Sequence, residues 1–147
     1  MERESVAGIA VREGPRPGSG DTEPFRIFTA RRLPGGDLGG KWEFPGGKVR
    51  SGESYEDTVK REYLEELSVP VEAGPRIGFA KFNHGKTRFT LIALRVTLLS
   101  EDVSLNEHSE YRWVTPGELK NLDIADSDRL LFPAIFRYTD RLFKNLS

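Results

Sequence analysis

The stretch Gly47-Lys48-Val49-Arg50-Ser51-Gly52-Glu53, continued by Arg61-Glu62-Tyr63-Leu64-Glu65-Glu66-Leu67-Ser68-Val69, decides how the chain is read. A helix is expected from about Ser54 to Leu67. Ser54 supplies the N-cap oxygen, Glu56 and Asp57 suit the positive end of the dipole, and Pro70 stops any continuation. Tyr55, Val59, Tyr63 and Leu67 recur every four residues and form an apolar stripe. At about 100° per residue, Glu66 projects within that stripe and Glu62 sits at its edge, while Glu62, Glu65 and Glu66 lie near one face. An ordinary acidic helix would keep these groups in water. Here like charges four residues apart repel by roughly a few tenths of a kcal/mol, and a carboxylate flush with the core face also loses hydration. Divalent cations relieve both costs, and oxygen-only ligands favour Mg²⁺ or Mn²⁺ over zinc.

Metal and phosphate belong together. A Mg²⁺ ion held by carboxylates can bridge phosphate oxygens, offset developing charge and activate water. Gly46-Gly47, just before the loop, would let the main chain approach metal or phosphate closely. Arg61 lies off the apolar stripe, within reach of Glu53, and would tie the loop to the helix in a structural role.

Outward from this segment, Val6 to Val11 reads as a short buried strand and Phe25 to Ala30 as a second, joined as a hairpin by a loop over Gly14 to Asp21. Leu33 to Gly40 is a glycine-rich loop, and Lys41 to Phe44 a brief extended piece. Ile77 to Phe82 and Arg88 to Leu99 read as strands around the turn Asn83-His84-Gly85-Lys86, and Tyr111 to Val114 as a short strand. Thr115-Pro116-Gly117-Glu118 matches a capping box with proline at the first helical position. A last helix is expected from Asp126 or Ser127, carrying Leu130, Leu131, Ile135, Tyr138 and Leu142, with Pro133 shortening or kinking it. Strands interspersed with helices indicate an α/β sandwich.

Bulk properties narrow the function. The 147 residues suit one domain, 1–147, and show no internal repeat or composition break. A formal net charge of -1 gives no global basic field for duplex nucleic acid, although a local basic cluster can still meet a nucleotide. The absence of cysteine removes disulfides, thiolate metal sites and cysteine nucleophiles. No apolar run is long enough to span a bilayer and the first residues lack an apolar signal region, so no membrane partner and a cytoplasmic location are expected.

The spacing in the opening stretch resembles the Nudix box: Gly, five residues, Glu, seven residues, Arg-Glu, an apolar position, any residue, Glu-Glu, any residue, Gly, apolar. Two positions depart. Ser68 stands where the family has its last glycine, and Tyr63 fills an aliphatic position. Glycine there serves a left-handed cap, so Ser68 should cost at most about 1 kcal/mol. The resemblance covers most of the chain and looks closest to the MutT branch, through Lys41-Trp42-Glu43-Phe44-Pro45-Gly46-Gly47-Lys48 before the box and Arg31-Arg32 before that. Glu107, followed by His108 and six residues before Trp113, matches an acidic loop residue that binds metal or assists catalysis in that branch. Leu122-Asp123-Ile124-Ala125-Asp126 resembles the segment whose Asn or Asp reads the base edge.

The resemblance implies a Nudix-type α/β/α sandwich with a mixed central sheet. It implies a metal set of the Gly47 carbonyl, Glu62, Glu65, Glu66 and Glu107 for Mg²⁺, with Mn²⁺ as the alternative ion. Glu62 is the first choice for general base and Glu107 the second. Glu53 and Arg61 are structural, and Arg32, Phe44 and Asp126 are substrate-binding candidates. Each of these last three has a plainer reading: Arg32 as an exposed arginine, Phe44, like Trp42, as core, Asp126 as an N-cap. Asp128 competes with Asp126 for either role. His84 reads as a turn residue, and His108 stays open. The implied reaction is water attack on a nucleoside triphosphate, oxidised or not, giving NMP and pyrophosphate. Sugar nucleotides, ADP-ribose, dinucleoside polyphosphates and capped RNA ends are alternatives within the same chemistry, and a noncatalytic nucleotide sensor is the alternative from another class. The expected partner is a small-molecule nucleotide; a homodimer stays open.

Overall fold

The computed structural model of the chain describes residues 1–14 and 23–146. The loop expected over residues 14–21 therefore lies, beyond Gly14, outside the described residues. The strands form one mixed sheet in the order β3 (Trp42–Glu43), β2 (Phe25–Arg32), β1 (Glu2–Glu13), β6 (Thr87–Leu98), β5 (Val71–His84). Off this path, β4 (Gly46–Lys48) pairs with β1 and β7 (His108–Val114) with β2. β1 is the hub. It runs parallel to β6 from Glu2 to Ala10, antiparallel to β4 around Val6, and antiparallel to β2 at its far end, where Val11 faces Ile27.

Both faces of β1 are covered, which is why Val6 to Val11 carries no polar alternation. Ala7, Ile9 and Val11 point into one core with Ile77 and Leu91, closed by Leu131, Phe132 and Ile135. Val6 and Ala10 point into the other with Ile92, Leu94 and Val96, closed by Val59, Tyr63 and Leu67 of α1 (Tyr55–Leu67). Val59, Tyr63 and Leu67 are fully buried, each removing area worth about 1.5–3 kcal/mol from water. Helices thus close both faces of the sheet.

Three local expectations need adjusting. β4 does not show in the pattern, because Gly46-Gly47-Lys48 has no apolar alternation. Gly46 pairs with Ala7 so tightly that a Cβ on it would run into the Val6 carbonyl. β5 begins at Val71 rather than Ile77, passing Gly74 and Pro75 where the register with β6 shifts. An edge strand with a bulge tolerates a proline that a central ladder would not. The last helix is two helices after the capped turn α2 (Pro116–Leu119): α3 (Asp126–Arg129) and α4 (Phe132–Lys144). Pro133 sits in the first turn of α4, where its missing N–H costs nothing, and Leu130 is left exposed between the two.

Candidate active site

α1 begins as its sequence dictates, with the Ser54 hydroxyl accepting from the Asp57 N–H at 3.0 Å. It ends on Ser68 in the left-handed region, at φ 56° and ψ 33°, the one non-glycine with positive φ among the described residues. The box serine thus takes the conformation that the motif glycine would supply.

Arg61 is the organising cation of the loop-to-helix junction. Its Nε and Nη2 donate to the two Glu53 oxygens at 2.6 and 2.9 Å, Nη2 also to the Lys48 carbonyl at 3.0 Å, and Nη1 to Glu62 Oε1 at 2.7 Å. Glu53 further accepts from the Arg50 N–H and the Thr58 hydroxyl. This company, Arg61 first, holds the Glu53 carboxyl down at about 2. Glu53 is therefore a fixed anion that shapes the loop, and it has no proton to exchange near neutral pH.

Glu66 is the buried carboxylate of the helix, 4% exposed. Its Oε2 accepts from the Gly46 N–H at 3.2 Å, and its Oε1 lies 3.7 Å from His108 Nε2. Burial, then the hydrogen bond with Glu62, then the charges of Glu43, Glu62 and Glu107 drive its proton affinity well above the usual carboxylate range. Glu62 packs over Gly47, where a Cβ would come within 2.6 Å of Glu62 Oε1, so a larger residue there would displace the carboxylate from this position. Glu65 instead turns outward, 3.3 Å from Arg61 and 3.8 Å from Arg50. Glu107 is exposed, one residue before β7, with its charge felt at Glu66.

The sheet adds groups that the box does not contain. Trp42 and Phe44 are both buried in the core, which is the packing reading of the two rings. Glu43, between them, faces the opposite side, toward α1. It accepts from Arg32 Nη1 at 2.9 Å and meets His108 Nε2 at 2.9 Å. Donor atoms of Glu43, Glu66 and His108 lie within 4.8 Å of one another. Strand alternation about Trp42 is the signal that could have pointed to Glu43; nothing in the sequence pointed to its meeting with His108.

The late segment is stitched to β3 by main chain: Trp42 N–H to Asp123 O at 2.8 Å, and Ala125 N–H to Trp42 O at 2.9 Å. This register exposes Asp126 at the first position of α3, where Ala125 is the N-cap, so Asp126 is neither a cap nor a buried group. Asp128 is the buried one, with Oδ2 accepting from the Phe44 N–H at 2.9 Å. Burial lifts its carboxyl to about 7, opposed by that N–H, with Glu43 adding to the rise and Arg32 countering it.

Clustered carboxylates around a buried Glu66, with a main-chain approach at Gly46 and Gly47, form a donor set that could hold a divalent cation; the carboxylates favour a hard ion, whereas the imidazole of His108 within the group is a softer donor. Its fit rests on the Glu66 carboxylate, which among the described residues meets no lysine or arginine, only the His108 ring at 3.7 Å, and which lies near Glu43 and Glu62. Arg32 is held beside Glu43 at 2.9 Å.

Comparison with known proteins agrees with this geometry. The NUDIX domain model matches residues 5–135. A Mycobacterium tuberculosis protein named "Putative 8-oxo-dGTP diphosphatase 2" is 38% identical over 106 residues, covering 70% of this chain and 74% of its own. The Escherichia coli CTP pyrophosphohydrolase is 29% identical over 131 residues, 89% of each chain. Among solved structures, the MutT protein of Methanosarcina mazei superposes with a TM-score of 0.72 at 27% identity, over 97% of this chain and 96% of that one. With its box, its sheet and its carboxylate cluster in this arrangement, the chain belongs to the Nudix hydrolase family and is MutT-like.

Proposed function

We propose that the chain is a Mg²⁺- or Mn²⁺-dependent pyrophosphohydrolase that cleaves a nucleoside triphosphate to NMP and pyrophosphate, with an oxidised guanine nucleotide as its first candidate. The observation that carries this reading is Asp128, a buried carboxyl fixed by the Phe44 N–H next to Glu43 in the chain, whose side chain pairs with Arg32 and belongs to the cluster around Glu66. A base reader and a phosphate site then share one wall. The names of two relatives, "Putative 8-oxo-dGTP diphosphatase 2" and CTP pyrophosphohydrolase, both support a nucleoside triphosphate, and the first supports the oxidised guanine.

Gly47 carbonyl, Glu62, Glu66 and Glu107 would hold the ions, joined by Glu65 if it leaves Arg61. Bound divalent ions supply charge neutralisation on the phosphates and a water of lowered pKa. Arg32 binds phosphate oxygens and Glu43 keeps its guanidinium aimed. Glu62 takes the proton from the attacking water, with Glu107 as the second choice. Arg61 and Glu53 hold the loop against the helix so that Glu62 stays over Gly47. An ionised Asp128 accepts from N–H donors, as on guanine N1 and N2. A noncatalytic sensor would not need so dense a set of carboxylates around one buried position.

The test is kcat/KM for 8-oxo-dGTP, dGTP, CTP, ADP-ribose and sugar nucleotides, with products identified and with Mg²⁺ present or removed. Asp128→Ala should flatten base preference by about ten- to a hundredfold, the worth of one lost hydrogen bond in a desolvated pocket. Asp126→Ala is measured beside it, and a larger effect there would return the reader role to Asp126. Preference for sugar nucleotides, unmoved by either variant, would overturn the substrate reading and leave the hydrolase in place.

A further inference from the structure

Residue 107 hangs between two anchors. On one side the loop after β6 is fastened to the end of α1. The Asn106 N–H donates to Glu66 O at 3.1 Å, Asn106 Nδ2 donates to Glu65 O and to Ser68 Oγ, each at 3.0 Å, and the Ser104 N–H donates to Leu67 O at 2.9 Å. The last carbonyls of a helix have no partner within it, and this loop supplies them. On the other side His108 opens β7 opposite Arg32 and meets Glu43. Glu107 is thereby held between the C-terminal turn of α1 and the first residue of β7.

Ser68 stands where the Nudix box carries glycine. A serine in the left-handed region gives up conformational ease. Its hydroxyl, however, is the acceptor for Asn106, and glycine has none. The departure from the motif and the anchoring of the acidic loop thus meet in a single contact.

We propose that Ser68 and Asn106 form a latch that holds Glu107 against the C-terminal turn of α1, which carries Glu65 and Glu66, and that both are positioning residues for the metal-dependent step. The proposal rests on the proposed metal role of Glu66 and Glu107. The latch sets where the Glu107 carboxylate sits; it touches neither metal nor substrate itself.

The experiment compares wild type with Ser68→Gly, Asn106→Ala, the double variant and Asn106→Asp in kcat, KM, Mn²⁺ affinity (by the EPR signal of the free ion) and urea unfolding. Ser68→Gly is expected to be at least as stable as wild type, because glycine relaxes the backbone. It should nevertheless lose about tenfold in kcat and in Mn²⁺ affinity, with KM for the nucleotide nearly unchanged. Asn106→Asp keeps the volume but turns an acceptor toward the Glu65 carbonyl, so it should fall at least as far as Asn106→Ala. The double variant should fall no further than the worse single one, since both act through one contact. Wild-type kcat and Mn²⁺ affinity in Ser68→Gly, additive losses in the double variant, or losses that merely track stability would each overturn the latch. Should the wild type hydrolyse no nucleotide, Mn²⁺ binding decides alone. Weaker binding in Asn106→Ala supports the latch while the proposed function fails, and equal binding refutes the latch.

Discussion

Asp128→Asn isolates the cost of the buried carboxyl. The amide has nearly the volume of the carboxyl, and its Oδ1 can still accept from the Phe44 N–H, so packing and that hydrogen bond survive. What disappears is a proton equilibrium. In the folded chain the carboxyl titrates at about 7 against an ordinary aspartate value of 3.8. The folded state therefore binds this proton more tightly than the unfolded chain does. Its contribution to stability is fully present below about pH 4, is lost as pH climbs through the folded value, and levels off above it. A shift of about three units is worth about 4 kcal/mol, which is a ceiling because Arg32 can reorient toward the charge. Urea unfolding of wild type and Asp128→Asn at several pH values between about 4 and 8 measures it directly. The variant is expected to gain on the wild type as pH rises, by up to about 4 kcal/mol across that window, with unchanged m-values. A difference that stays flat with pH would show that Asp128 ionises freely and would remove it from the buried wall. The same titration sets when Asp128 can act as an acceptor, so preference for donor-rich bases should strengthen from pH 6 to pH 8 in the wild type and not in the variant.

Gly8→Ala should destabilise by about 1–3 kcal/mol in urea unfolding, because its Cβ would fall 2.7 Å from a Val59 methyl and into the Tyr63 ring, whose hydroxyl donates to the Gly8 carbonyl. A variant of wild-type stability would mean that α1 can shift without penalty. Arg61→Ala should lower both the melting temperature and kcat, since it releases Glu53, Glu62 and the Lys48 carbonyl together, whereas Glu62→Gln should lower kcat with little change in melting. Matched melting curves for Arg61→Ala and wild type would contradict that division. Chelation by EDTA should abolish hydrolysis, and Glu66→Gln should lower kcat by about a hundredfold or more while costing no stability, because a buried amide carries no desolvated charge. Near wild-type turnover in Glu66→Gln would take that carboxylate out of the site.

The part of the site that a helix writes is legible in the sequence. A period of 3.6 places Glu66 within the stripe of Val59, Tyr63 and Leu67, and the structure buries it there. Arg61 reaches Glu53 because both belong to one loop-helix unit, so their meeting needs no knowledge of the sheet. Strand pairing is another matter. Glu43 and His108 are far apart in the chain, and they meet only because β3 and β7 flank β2 on opposite edges, with Arg32 laddered against His108 and donating to Glu43. Asp128 rather than Asp126 is buried because Trp42 bridges to Ile124 and fixes how the following turn enters α3; a shift of two residues there reverses which aspartate faces inward. Tyr63 departs from the aliphatic position of the motif, and its hydroxyl donates to the Gly8 carbonyl, under a glycine that makes room for the ring. A motif read along one helix specifies the carboxylates, while the groups proposed to meet the substrate, Arg32 and Asp128, are placed by register between distant strands. Substitution at Asp128 should therefore change substrate preference in this chain with the box left intact.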